Sequence, residues 1–178
     1  MKLRQYKDLV DRLARERSGE TVLNGSAEHA AVINERMFTY AESTMDILSR
    51  RFDPRIYGTE ELIEAARLFS GSPERKTRIA LEQADAAEFV NHPFAKEFLD
   101  NDNIQVRQIP APWHDAIEVN FTVMDGDSYR FEKDKKEAVA IAAFGDKEGI
   151  AHRLSNYFES VWAGSSPISV KTMLKDAV

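Results

Sequence analysis

Hydrophobic positions along the chain change period several times, and each change marks an element. Leu3, Tyr6, Leu9, Val10 and Leu13 recur at helical spacing and predict a first helix ending at Ser18-Gly19. Residues 20–24 read as a short strand. Ser26 is a good N-cap, and Ala30, Ile33, Met37 and Ala41 make the apolar stripe of a second helix. Met45 and Ile47 alternate in a strand. Thr59 caps a helix that turns Leu62, Ile63, Ala66 and Leu68 or Phe69 inward, with Glu60 and Glu61 at the positive end of its dipole. Ile79 and Leu81 share one side of a strand beginning at Lys76. A helical stretch over 84–100 is interrupted near Pro93, and 103–110 read as another strand.

Pro110 and Pro112 then break the chain before Trp113 and His114. From Glu118 to Glu132 the pattern alternates, turns at Asp125-Gly126 and alternates again, which predicts a β-hairpin of strands 117–124 and 128–132. A charged turn leads to a third strand over 137–145. A closing helix from about Lys147 carries Ile150, Leu154, Tyr157, Phe158, Val161 and Trp162 as its stripe. Alternation of helix and strand in the first part predicts parallel strands covered by helices, and the meander adds antiparallel ones. The expected fold is α/β, a mixed sheet of about seven strands flanked by helices. Residues 1–18 are expected to be an amphipathic helix, 19–164 the domain and 165–178 an extension.

Composition changes this picture little. The chain has 178 residues, 43% of them hydrophobic and 30% charged, as an ordinary globular domain does. It has no cysteine, which excludes disulfides, thiol catalysis and cysteine-held metals and fits a cytoplasmic location. No apolar run is long enough for a membrane span, and the charged start is not expected to be a secretory signal. Net charge is −6, yet residues 1–17 carry six Lys/Arg against three Asp/Glu. An acidic body argues against a dedicated phosphate-backbone binder.

Several stretches resemble a phospholipase D-like domain, in the family's order. Residues 42–66 are similar to its second strand and following helix, 104–110 to the strand before its motif, 121–132 to its motif hairpin, and 144–165 to its closing helix. Active members carry His-x-Lys-x4-Asp, where His attacks the phosphodiester, Lys neutralises the phosphate and Asp supports the site. Aligning Asp-Gly puts Asp125 at the Asp position, Asn120 at the Lys position and Glu118 at the nucleophile position. Glu-x-Asn-x4-Asp lacks a neutral imidazole and a cation for the developing charge. The resemblance therefore implies the fold and not the catalysis. Chains with one motif resemble half a two-fold site, so a homodimer is implied.

Other readings stay open beside this one. Glu118 and Asp125 offer oxygens to a divalent ion, as a metal-dependent phosphodiesterase or nuclease needs, although a hairpin carries polar residues on one face by default. His114 beside Asp115 is a candidate base or ligand group in a loop, or simply polar surface. Arg50 and Arg51, with Arg55, and the run Arg75, Lys76, Arg78 are candidates for meeting phosphates, or solvated loops. Phe121, Val123, Phe131, Ile141, Phe144, Phe158 and Trp162 are core candidates, Trp162 alternatively an interface residue. No cofactor or metal motif is present. The expected function is a non-catalytic phospholipase D-like binding or sensing module, a pseudoenzyme whose degenerate cleft takes a nucleotide, a nucleic-acid end or a protein partner. A subunit of a bacterial assembly, docked through the basic first helix or the 165–178 tail with its apolar Ile168, Val170, Met173 and Leu174, is the third reading.

Overall fold

The computed structural model describes residues 1–83, 86–98, 101–133 and 139–168. Three parallel strands form the middle of the sheet. These are β2 (Thr44–Ser49), β3 (Lys76–Leu81) and β4 (Ile104–Gln108), with β2 paired to β3 and β3 to β4. An antiparallel meander, β5 (Asn120–Met124), β6 (Ser128–Glu132) and β7 (Ala140–Ala143), joins the other edge of β2. With β1 (Thr21–Asn24) and the two-residue β8 (Ser166–Pro167), the eight strands run in the order β1-β7-β6-β5-β2-β3-β4-β8.

Two expectations are corrected here. β1 is not parallel: it pairs antiparallel with β7 as an edge strand, because the chain reaches the far side of the meander before entering the sheet's centre. The motif strand starts at Asn120 rather than at residue 117. The short 3-10 helix Ala111–Trp113 continues its turn, and the Trp113 carbonyl accepts the N–H groups of Ala116 and Ile117 at 3.0 and 3.1 Å.

Helices cover both faces. On one lie α1 (Leu3–Glu16), α2 (Ala27–Tyr40), α3 (Pro54–Tyr57), α4 (Glu60–Ser70), α5 (Ala86–Asn91) and α6 (Pro93–Phe98); on the other lies α7 (Ile150–Gly164). Strand periodicity divides the core accordingly. Met45, Ile47, Ile79, Leu81 and Met124 join the larger cluster under α1, α2 and α4. Leu48, Ala80, Phe121 and Val123 pack with Phe158, Val161 and Trp162 of α7. Trp162 is 7% exposed and carries Arg107 4.4 Å above its ring, so it belongs to this core.

The caps are local in origin. The Ser26 hydroxyl accepts the His29 N–H and the Thr59 hydroxyl that of Leu62, both three residues on. α3 was not anticipated; Asp53 caps it by accepting the Arg55 N–H, and Pro54 stands where its missing N–H costs nothing. α7 begins at Ile150, after a left-handed Gly149 and with the Ala151 N–H donated to Asp146.

Helix α1 is part of the core. Tyr6, Val10, Leu13 and Ala14 are buried in the larger cluster, and Tyr6 stacks on His29 at 3.8 Å and donates its hydroxyl to the Leu23 carbonyl. Burial pushes the Tyr6 phenol up to about 12, with Arg130 opposing. The chain leaves α1 against Gly145 (φ 72), where an added Cβ would lie 2.4 Å from the Arg17 carbonyl oxygen. At the other terminus β8 pairs with β4, and the Ile168 N–H reaches the Val106 carbonyl. The remaining tail candidates, Val170, Met173 and Leu174, lie outside the described residues. No helix among those described is long and apolar enough to cross a membrane.

Candidate functional site

The carboxyl ends of parallel strands are where an open α/β sheet leaves a crevice. At the end of β2 the chain turns sharply. The Ser49 hydroxyl accepts the Phe52 N–H at 3.0 Å, Phe52 takes a left-handed φ of 52°, and Asp53 starts α3. This turn holds Arg50 and Arg51 at the crevice. A cavity of about 430 Å³ opens there, lined among others by Ser26, Ser49, Arg50, Arg51, Asn120 and Glu132.

Its floor is a buried polar network. Thr122, Arg130 and Glu132 are buried and Asn120 partly so, all on the α2 side of the sheet, opposite in parity to Phe121, Tyr129 and Phe131. The Asn120 amide oxygen accepts the Arg50 N–H at 2.9 Å, and its nitrogen donates to Glu132 Oε2 at 2.7 Å. Arg130 Nη2 donates to Glu132 Oε1, and its Nε to Asn24 Oδ1 at 2.7 Å. Thr122 donates to Asn34 Oδ1 at 2.7 Å, and Asn34 donates back to the Ala30 carbonyl. Burying an arginine and a glutamate is tolerable only because each finds its partners.

The cations at the rim differ from Arg130. Arg55 is held by Asp53. Arg51 Nε donates to Gln83 Oε1 at 3.1 Å, but Arg51 forms no ion pair among the described residues. The half-buried Arg50 guanidinium has no ion pair or hydrogen bond there either. Among the described residues two carboxylates line the cavity, Asp53 and Glu132, and both are already paired, which leaves this lining cationic.

The structure thus brings together Asn120, Arg50 and Arg51, and separates the other candidates from them. Glu118 is exposed and precedes the strand. Asp125 follows the opposite end of β5, roughly 17 Å from Asn120 at about 3.4 Å per residue. There its carboxylate accepts the N–H groups of Glu42, Ser43 and Thr44, the Ser43 hydroxyl, and Arg17. Burial works to raise its pKa, and the three backbone N–H groups with the Ser43 hydroxyl outweigh it and hold the carboxyl below its ordinary value. Glu118 and Asp125 therefore do not share one ion. Among the described residues no group of three or more His, Asp or Glu is placed to hold a metal.

His114 is half-buried with Nε2 3.0 Å from the Ile109 carbonyl oxygen, away from the cavity lining. Arg78 turns to the α7 face, bonding Asp46 at 2.7 and 2.8 Å and Glu159 at 2.6 Å. Lys76 donates to Asn103, and Arg75 lies over the Phe69 ring. Sequence reasoning missed Asn24, Arg130 and Glu132. A signal was present: once the Asp125-Gly126 turn fixes the register, Arg130 and Glu132 face the same way as Thr122 and Asn120.

A family model described as a domain of unknown function, DUF7931, matches residues 26–172. No curated protein matches the chain in sequence. Among solved structures, Nuc of Salmonella typhimurium, a phospholipase D family member, is similar over 84% of this chain and 99% of its own, with a TM-score of 0.56 and 14% identity. NucT from Helicobacter pylori is similar over the same shares, with a TM-score of 0.59 and 10% identity. TrmBL2, an archaeal chromatin protein with a novel mode of DNA binding, is similar over 93% of this chain with a TM-score of 0.59 and 9% identity; the match spans 61% of TrmBL2. At these identities the likeness establishes the fold, which is phospholipase D-like.

Proposed function

We propose, given that the chain belongs to the DUF7931 family and folds as a phospholipase D-like domain, that it is a non-catalytic binding module for a phosphate-bearing ligand. One observation carries this reading. At the two positions aligned with the nucleophile and the phosphate-binding lysine, Glu118 is exposed and Asn120 is tied to Arg50 and Glu132, while Arg50 and Arg51 line the cavity with no ion pair among the described residues. Acyl- and phosphoryl-type transfers need a nucleophile and a positive clamp on the developing charge. Binding an anion needs only the charge and donors, which Arg50 and Arg51 supply.

The degenerate motif is then a structural remnant. Asp125 keeps the supporting role, and Asn120 and Glu132 have become the floor of a binding cleft. Calorimetry with inorganic phosphate and a hydrolysis assay with bis(p-nitrophenyl) phosphate test the reading together. Phosphate binding weakened at least threefold by Arg50→Ala, with no turnover in the presence of magnesium, manganese or a chelator, is the expected result. Turnover abolished by Glu118→Gln would overturn the non-catalytic part, and absence of phosphate binding would overturn the ligand.

A further inference from the structure

Among the described residues, four arginines and two carboxylates line the cavity at the end of β2. Arg55 is paired with Asp53 and Arg130 with Glu132. Arg50 and Arg51 remain, so this lining carries two positive charges that no carboxylate there offsets. Both are within reach of a ligand: Arg51 is exposed and Arg50 half-buried.

The hydrogen-bonding groups are one-sided in the same way. Both Glu132 oxygens already accept, one from Asn120 and one from Arg130. Both Asp53 oxygens accept from Arg55. The Asn120 amide oxygen accepts the Arg50 N–H. Against these, the Arg50 guanidinium makes no hydrogen bond among the described residues, and Arg51 uses only its Nε, on Gln83. Ser26 and Ala27 bring the first turn of α2 into the wall, where helix N–H groups lack intrahelical partners. A ligand therefore meets open donors and occupied acceptors. The group that suits this lining is an anion that only accepts.

Charge and shape narrow that anion. A phosphate ester with one carbon arm carries about −1.5 to −2 near pH 7, whereas a diester carries a single charge. Two unpaired arginines match the monoester. Asn120, Arg130 and Glu132 close the floor, and the first turn of α2 and the Asp53–Tyr57 turn stand beside it. A monoester has one arm to lead out of such a cavity, and a diester has two. The volume of about 430 Å³ lies in the small-molecule range, which begins at roughly 300 Å³. The net charge of −6 works against a polyanionic chain at the mouth.

Resting on the phosphate-binding reading, we propose that the Arg50–Arg51 cavity selects the dianionic phosphate of a small phosphomonoester over a phosphodiester. The preference is the reverse of the one that phosphodiester chemistry requires. Arg50 and Arg51 each meet one of the two charges, and the ester arm points out of the cavity.

Amide NMR titrations of the full chain at about pH 7.5, where the monoester is a dianion, test this with four ligands: inorganic phosphate, methyl phosphate, methyl sulfate and dimethyl phosphate. Methyl sulfate keeps the shape of methyl phosphate and has one charge; dimethyl phosphate has one charge and two arms. Methyl phosphate is expected to bind at least about tenfold tighter than either, the order that one charge-assisted hydrogen bond contributes. Arg51→Gln, at an exposed position, is expected to weaken methyl phosphate several-fold more than methyl sulfate. Equal binding of methyl phosphate and methyl sulfate overturns the match of charges, as does an Arg51→Gln variant that loses neither. Dimethyl phosphate binding as well as methyl phosphate overturns the selection against diesters. Binding of inorganic phosphate without methyl phosphate overturns the ester. Each of these leaves the phosphate reading standing, and absence of binding by all four overturns both. A 5′-phosphorylated oligonucleotide that binds more tightly than methyl phosphate overturns the small-molecule assignment.

Discussion

Asp125 and Arg17, 108 positions apart in the chain, are joined by a 3.0 Å charge-assisted hydrogen bond in which the carboxylate is 9% exposed. The contact ties the motif hairpin to the exit of α1, and the three N–H groups from residues 42–44 tie the same carboxylate to the start of β2. Asp125→Ala is expected to cost about 2–4 kcal/mol, because several donors to one charge are left unmet. Arg17→Ala should cost less, since its side chain is 30% exposed. Urea melts of both variants and of the double variant measure the coupling; an Asp125→Ala loss below about 1 kcal/mol contradicts the anchoring role.

Acid should weaken the same anchor. The folded state holds the Asp125 carboxyl below its ordinary value, so between the two values the unfolded chain binds more protons. Its contribution is complete above about pH 4, the ordinary carboxylate range, and falls away as pH drops through the lowered value. The stability gap between wild type and Asp125→Asn is expected to narrow from pH 6 to pH 2 in denaturant melts. A gap that stays constant would show that the charge is not what matters.

Arg130 and Glu132 form a buried pair, at 2% and 9% side-chain exposure. Removing one partner strands the other: Arg130→Ala is expected to lose about 3–5 kcal/mol. Arg130→Met with Glu132→Gln should recover part of that loss, because neither member is then left charged. Thermal melts that rank the double variant below Arg130→Ala would refute this.

Removing residues 1–17 exposes the core that Tyr6, Val10 and Leu13 cover. At about 1.5–3 kcal/mol for each buried side chain the loss approaches the 5–15 kcal/mol stability of a whole domain. The truncated chain is expected to be insoluble or unfolded by circular dichroism. A folded truncation of native-like stability would show α1 to be an appendage.

A chain with one motif hairpin is expected to pair with a second copy, as the family resemblance implies. Equilibrium sedimentation at tens of micromolar should return twice the 20.2 kDa chain mass. A monomer under those conditions removes the dimer and leaves the proposed phosphate site, whose residues lie within one chain, intact.

The sequence alone determined what short-range rules control. Period and turn chemistry located the helices and strands, Ser26 and Thr59 announced their helices, and Asp125-Gly126 marked the hairpin. Those signals survive because a cap or turn is decided by residues within three or four positions. Partners chosen across the chain were out of reach. Nothing near Thr21 says that its strand will join the meander's edge antiparallel. Glu118 has the spacing of a strand residue, yet the turn after Trp113 takes up the backbone N–H groups of Ala116 and Ile117 and delays the strand to Asn120. Arg130 and Glu132 read as surface charges until Asn24 and Asn120 close around them. The cationic cleft is likewise a tertiary product. Whether an arginine is free or spent depends on which carboxylates the fold brings beside it, and only the packed structure assigns Asp53 to Arg55 and gives Arg50 no carboxylate among the described residues.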